Sequence, residues 1–283
     1  MFGSLRIGRP FGIDLSLHGT FWLLPAFVFL TAYMGGGLPA AVMNTGVILA
    51  VFGCVALHEL GHALAARLYG IRTQDIVLYP IGGVARLERM PERPIQEIVV
   101  ALAGPAVNVV IALGLLAVLL ADGLALGIWP SYQNPVNTFL ARLMMANVGL
   151  VLFNLIPAFP MDGGRVLRAV VSWFTDRVTA TRVAVTIGTV FAVLFGVYAL
   201  MPPNPQPMLL ILAVAVYLMG RQELEMVRRE AVYRRRQRMW AEYDIPTARA
   251  VDRPGRPEDV WVYDARTGVW HPAPTRRNLF SPI

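Results

Sequence analysis

The stretch "VALHELGHALAAR", Val55 to Arg67, places His58, Glu59 and His62 inside a run that otherwise reads as membrane. No residue between His18 and His58 carries a formal charge. Ionisable groups in such a run are costly and mark function by default. On a helix, residues i and i+4 share a face, so both imidazoles reach one metal ion. Glu59 follows the first of them, where an H-E-x-x-H site keeps the general base for a metal-bound water. The competing reading makes the same groups hydrogen-bonding glue between helices.

The rest of the chain supports the membrane setting. Its 283 residues are 56% hydrophobic and only 15% charged, with a mean hydropathy of +0.54. Soluble domains run nearer a quarter charged. A net charge of +7 would suit a nucleic-acid partner, but the cations track the connections between apolar segments, so no nucleic acid is expected. All 25 cations are arginine. The single cysteine, Cys54, excludes an intrachain disulfide and a cysteine-based zinc motif. It lies one helical turn before His58 and reads as a small packing residue. The N-terminal residues lack a cleavable signal pattern.

Six segments are candidate spans: Gly19–Met34, Ala40–Tyr69, Ile98–Ala121, Leu143–Ile156, Val183–Met201 and the short Met208–Gly220. Arginines fall before the first segment, between the second and third, between the fourth and fifth, and after the sixth, where there are thirteen. The alternate connections "GGGLP", "DGLALGIWPSYQNPVNTFLA" and "PPNPQP" have none, and Arg142 alone sits at a wrong boundary. The positive-inside rule then puts both termini in the cytoplasm. The expected fold is an all-α polytopic membrane protein with about six transmembrane helices and a small cytoplasmic β element. "TQDIVLYPIGGVARLE" (Thr73–Glu88) reads as a strand pair around a glycine turn, and "RIGRPFGIDLSLHG" as a strand or hairpin. Residues 1–220 form the expected core. Residues 221–283 form a basic cytoplasmic tail, helical at first, then Pro/Arg-rich, with a hairpin around "ARTG".

A catalytic zinc takes three protein ligands and keeps a position open for water. Glu88, Glu92 and Glu97 fall at or beyond the cytoplasmic boundary, and Asp122 falls on the outer side. Asp162, in "NLIPAFPMDGGR", follows a span that runs in the same direction as the histidine span, so it arrives near their depth. Its alternative role is the N-cap of the next helix. Asn154 and Asn108 are amides in apolar spans, able to polarise a substrate carbonyl or to bridge helices. His18 reads as an interfacial residue, and His271 has no assigned role.

HELGH in a membrane helix, with N-x-x-P-x-x-P-x-D-G-G at Asn154–Gly164, resembles the site-2 protease family of intramembrane zinc metalloproteases. "AGPAVN" (Ala103–Asn108) is similar to the family's G-P-x-x-N element, and "PIGGVARL" to the strand segment after its HExxH helix. The resemblance covers about Leu5 to Gly220. It implies one zinc ion per chain on His58, His62 and Asp162, with Glu59 as base. It also implies a multi-pass protein of a prokaryotic cell membrane that hydrolyses a transmembrane segment of a membrane-anchored substrate within the lipid bilayer. There is no room for an inserted PDZ domain, and the tail is too short for a paired CBS module. The strand around Gly82, Gly83 and Val84 is the candidate to pair with an extended substrate. The non-enzymatic alternative is a membrane chaperone or binding protein with a structural metal, for which an intact Glu59 has no use. Other membrane zinc hydrolases and metal transporters are further rivals.

Overall fold

Hydrocarbon offers no partner to a free backbone amide, so the apolar runs satisfy their own amides as helices. The computed structural model describes residues 3–80, 82–91, 93–121, 134–201, 206–242, 261–264 and 269–272. Glu92, Asp122, most of the connection after it and the Pro/Arg-rich part of the tail lie outside the described residues. The elements run β1 (Ser4–Gly8), β2 (Asp14–His18), α1 (Leu23–Leu68), β3 (Thr73–Tyr79), β4 (Gly82–Leu87), α2 (Pro94–Ala121), α3 (Pro135–Asn154), α4 (Asp162–Val171), α5 (Arg177–Leu200), α6 (Pro207–Glu242), β5 (Trp261–Asp264) and β6 (Val269–Pro272).

The chain divides into two compact units, Met1–Val227 and Arg228–Ile283. In the second, β5 and β6 pair antiparallel, with Asp264 opposite Val269, and Arg234 meets Glu230 one turn away at 2.7 Å. The four residues between these strands, the expected "ARTG" turn, lie outside the described residues.

In the first unit the expected strand pair and N-terminal hairpin form one open sheet, ordered β1-β2-β3-β4. The outer pairs are antiparallel, and β2 and β3 run parallel, with Leu15 opposite Ile76. The small β element expected is thus present, as a single open sheet of four strands. Ile76 of β3, with Ile13 just before β2, packs on Leu60 and Ala63, on the side of α1 away from the histidines.

Among the described residues, four helices are long and apolar enough to cross a membrane: Gly19–Leu68, Pro94–Ala121, Pro135–Asn154 and Arg177–Leu200. Six were expected, and two differences account for the mismatch; a third shifts the start of the fourth expected span without changing the count. The first two expected spans are arms of one helix. The break expected at "GGGLP" is present as a single residue, Gly37, at φ +70° and ψ −168°, a conformation L side chains rarely adopt. The arms fold back there: the Phe21 and Phe52 rings lie 4.7 Å apart. A straight helix would hold residues that far apart in sequence at ~46 Å. The sixth segment continues into the basic helix α6, and its apolar stretch ends at Arg221, short of the ~20 residues a span needs. The fourth helix starts at Pro135 rather than Leu143. Arg142 is thus inside α3, where it donates to Asn44 of α1 at 2.8 Å.

α2 packs against α1, α3 and α4, and α4 also against α5. Many large apolar side chains on these helices face outward, among them Val110, Leu152 and Leu194. That is the expected surface of a chain whose solvent is lipid.

Candidate metal centre

His58 and His62 are one turn apart on the second arm of α1, and both are buried. Asp162 is the first residue of α4 and is also buried. The N-cap position of α4 belongs to Met161, without a side-chain cap bond. The Asp162 carboxylate turns instead to the imidazoles, which rules out capping as its role. Its Oδ2 lies 3.2 Å from His58 Nε2 and 3.1 Å from His62 Nε2, and the two Nε2 atoms are 3.0 Å apart. Among the described residues this is the one His/Cys/Asp/Glu group arranged to hold a metal ion.

The donor set fits zinc. Zinc bonds of ~2.0–2.1 Å at tetrahedral angles separate neighbouring ligand atoms by ~3.3 Å, close to the spacing found. The hydrogen bonding around the rings makes the same point. His62 Nδ1 lies 2.7 Å from the Val100 carbonyl, which only accepts, so this nitrogen donates. His58 Nδ1 lies 2.6 Å from Asn108 Oδ1, to which it donates. With both hydrogens on Nδ1, each neutral ring presents a bare lone pair at Nε2. Two lone pairs and a carboxylate then converge in a buried space, which is a receptor for a cation.

The space depends on Gly104 of α2. A Cβ there would lie 2.3 Å from His62 Nε2 and 2.7 Å from His58 Nε2. The glycine of "AGPAVN" thus lets α2 pass beside the two ligand atoms, and the asparagine four residues later orients one of them.

Glu59 points to the sheet. Its Oε2 accepts from the Ala85 amide at 3.2 Å, and Gly83 passes so close that a Cβ there would lie 2.5 Å from Glu59 Cγ. β4 is an edge strand, and Val84 is half exposed. Of the expected substrate-strand glycines, Gly83 therefore abuts the expected base, whereas a Cβ on Gly82 would meet nothing within 4 Å. Asn154 is not drawn into this group by its hydrogen bond, which runs to the Leu150 carbonyl of its own helix at 3.0 Å.

Two further features were not assigned a role from the sequence. Asn147 of α3, fully buried, accepts from Asn108 Nδ2 at 2.7 Å. The signal was an amide in an apolar span, too common alone to single out. Arg168 of α4, counted as a connection cation, is fully buried and donates to Glu97 of α2 and, at 2.5 Å, to Glu223 of α6. Its guanidinium lies over the Phe159 ring at 4.9 Å.

A sequence profile described as Peptidase family M50 matches residues 46–126 and 127–195. This chain belongs to peptidase family M50, the site-2 protease family. The M50 chain is 34% identical over 236 residues to a zinc metalloprotease of Methanocaldococcus jannaschii, across 82% of this chain and 63% of that one. It is 27% identical over 189 residues to stage IV sporulation protein FB of Bacillus subtilis, across 66% of this chain and 58% of that one. The solved site-2 protease of M. jannaschii superposes with a TM-score of 0.57 at 32% identity, over 78% of this M50 chain and 95% of that one. The chain spans less than two thirds of the length of these two curated relatives.

Proposed function

We propose that this M50 protein is a zinc-dependent intramembrane endopeptidase that hydrolyses a peptide bond in or near a transmembrane segment of a membrane-anchored protein. The convergence of His58, His62 and Asp162 on one buried point, with Glu59 beside it on the same helix, carries the reading. His58 and His62 would hold one zinc ion through Nε2, and Asp162 through its carboxylate. When bound, zinc supplies the Lewis acidity that acidifies water and polarises the scissile carbonyl. Glu59 takes the proton of the attacking water and returns it to the leaving amine.

A substrate helix hides its carbonyls in its own hydrogen bonds, so it must unwind before hydrolysis. The β4 edge at Gly82, Gly83 and Val84 offers the extended segment a strand to pair with. Asn154 and Asn108 are the candidate amides for substrate contact; for Asn108, its bond to His58 favours a supporting role over an oxyanion one.

In the membrane, the two arms of α1 count as separate crossings, and the arginine asymmetry supports counting the apolar part of α6, short as it is, as the last. That makes six, with both termini in the cytoplasm of a prokaryotic cell. Residues 1–220 are the catalytic core and residues 221–283 a basic cytoplasmic tail. The fold-back of α1 and the arginine asymmetry support this arrangement.

The test is Glu59→Gln in purified protein, with zinc and a tagged single-span substrate. We expect cleavage to be lost while bound zinc stays at one per chain. Undiminished cleavage would sink the catalytic assignment. Tight substrate binding by wild-type protein without cleavage would favour the chaperone alternative.

A further inference from the structure

Behind His58 a line of buried amides crosses three helices. His58 Nδ1 faces Asn108 Oδ1 of α2 at 2.6 Å, and Asn108 Nδ2 faces Asn147 Oδ1 of α3 at 2.7 Å. Asn147 Nδ2 then faces the Leu143 carbonyl at 2.9 Å and the Cys54 Sγ at 3.3 Å. Both asparagine side chains are completely shielded. Their placement in apolar helices is costly unless every polar atom is paired.

The direction of this line is not free. An asparagine amide is nearly symmetric in shape, so either orientation fits a site sterically. The Leu143 carbonyl can only accept. It therefore holds the NH2 end of Asn147 and turns the oxygen toward α2. That oxygen holds the NH2 end of Asn108 and turns the Asn108 oxygen toward His58. An oxygen there demands a hydrogen on His58 Nδ1, which leaves the Nε2 lone pair aimed at Asp162 and His62.

We infer that Asn147 is a positioning residue for the metal centre, acting through Asn108 to set which His58 nitrogen is free to bind the ion. The inference rests on the proposed metal-binding role of His58, His62 and Asp162. Without Asn147, Asn108 loses the acceptor that orients it. Its amide can then reverse and present NH2 to His58, which favours the ring form with hydrogen on Nε2, the form that cannot bind.

The test compares wild-type protein, Asn147→Leu, Asn108→Leu and the double variant, all stripped of metal in detergent. Each is titrated with cobalt, followed by its visible absorption, and with zinc in competition with a chelator. Loss of an outer partner of a metal ligand weakens binding by roughly ten- to a hundredfold. We expect a loss of that size for each single variant, and for the double variant a loss no larger than that of Asn108→Leu, because the two residues act in series. Wild-type affinity in Asn147→Leu, or losses that add in the double variant, would overturn the inference. Should Asn147→Leu fail to fold, the double variant carries the readout, since it leaves neither amide unpaired. Nitrogen-15 spectra of zinc-loaded wild-type protein give a second arm, with the hydrogen of His58 expected on Nδ1; a bare Nδ1 overturns the inference whatever the variants do. If wild-type protein binds neither metal, the metal-site reading itself fails, an outcome separate from the others.

Discussion

Helix α4 belongs to two buried polar clusters, one holding its own cation and the other none. At Arg168, a shielded guanidinium lies between the carboxylates of Glu97 and Glu223, with Arg177 3.8 Å from the far oxygen of Glu97. Charge there is balanced from within. Six residues earlier, Asp162 meets only imidazole nitrogens whose hydrogens are engaged on the other side of each ring. The charge of Arg165 also bears on this carboxylate, but the two imidazole lone pairs beside it still lack a cation. Both clusters sit among apolar helices and face the same penalty for buried charge. The self-balanced cluster therefore reads as scaffold, tying α2, α4 and α6 together, and the unbalanced one as a receptor.

The largest effect that would break this contrast is at the receptor. Asp162→Ala should remove stoichiometric zinc and proteolysis together, read by metal analysis and a cleavage assay. Retention of one zinc per chain would mean that the imidazoles alone suffice and that the carboxylate is not a ligand. Next comes the scaffold. Arg168→Met leaves two carboxylates buried without their cation and should cost ~3–5 kcal/mol of stability, read by thermal unfolding in detergent. The triple change Arg168→Met, Glu97→Gln, Glu223→Gln should recover much of that loss, because no buried charge is left unpaired. A triple variant as unstable as the single one would show that the cluster acts by shape rather than charge.

Gly104→Ala tests the wall of the receptor. Its Cβ must displace the imidazoles, an overpacking cost of ~1–3 kcal/mol that should appear in zinc affinity more than in unfolding temperature. The smallest effect is expected far from both clusters. Asp176 caps α5 by accepting from the Thr179 amide at 3.0 Å and the Thr179 hydroxyl at 2.8 Å, and these bonds hold its carboxyl below the usual range. Asp176→Ala should cost ~1 kcal/mol or less. Because the folded-state value is depressed, the contribution is present above the ordinary carboxylate range and is lost as pH falls through the folded value. The difference between wild type and Asp176→Ala should therefore vanish in acid, as pH-dependent unfolding would measure.

The legible parts of this molecule are those whose meaning is local. HELGH sets two imidazoles on one helical face whatever surrounds it. Gly82 and Gly83 announce a turn between strands, and β3 and β4 follow. That Asp162 meets the two imidazoles was legible by a longer argument, because chain direction and depth are one-dimensional quantities that can be counted along the sequence. The fold-back of α1 was legible as the break at "GGGLP" but its form was not, since one residue of positive φ reverses the chain without the polar signature of a loop. Arg168 was misread for a related reason: arginine counts report loops on average, and this arginine is paired inside the fold.

By itself the sequence determined the membrane setting, the strand pairs, and the imidazole–carboxylate set with the glutamate beside it, because each follows from hydropathy, helical period or residue chemistry. Only the tertiary structure decided that four strands join in one sheet, that Glu59 meets the edge of that sheet, and that Asn108 and Asn147 stand in line behind His58. Those relations run between residues far apart in the chain. Which amide faces which ring is chosen by the packing of three helices, and no local property of the chain encodes it.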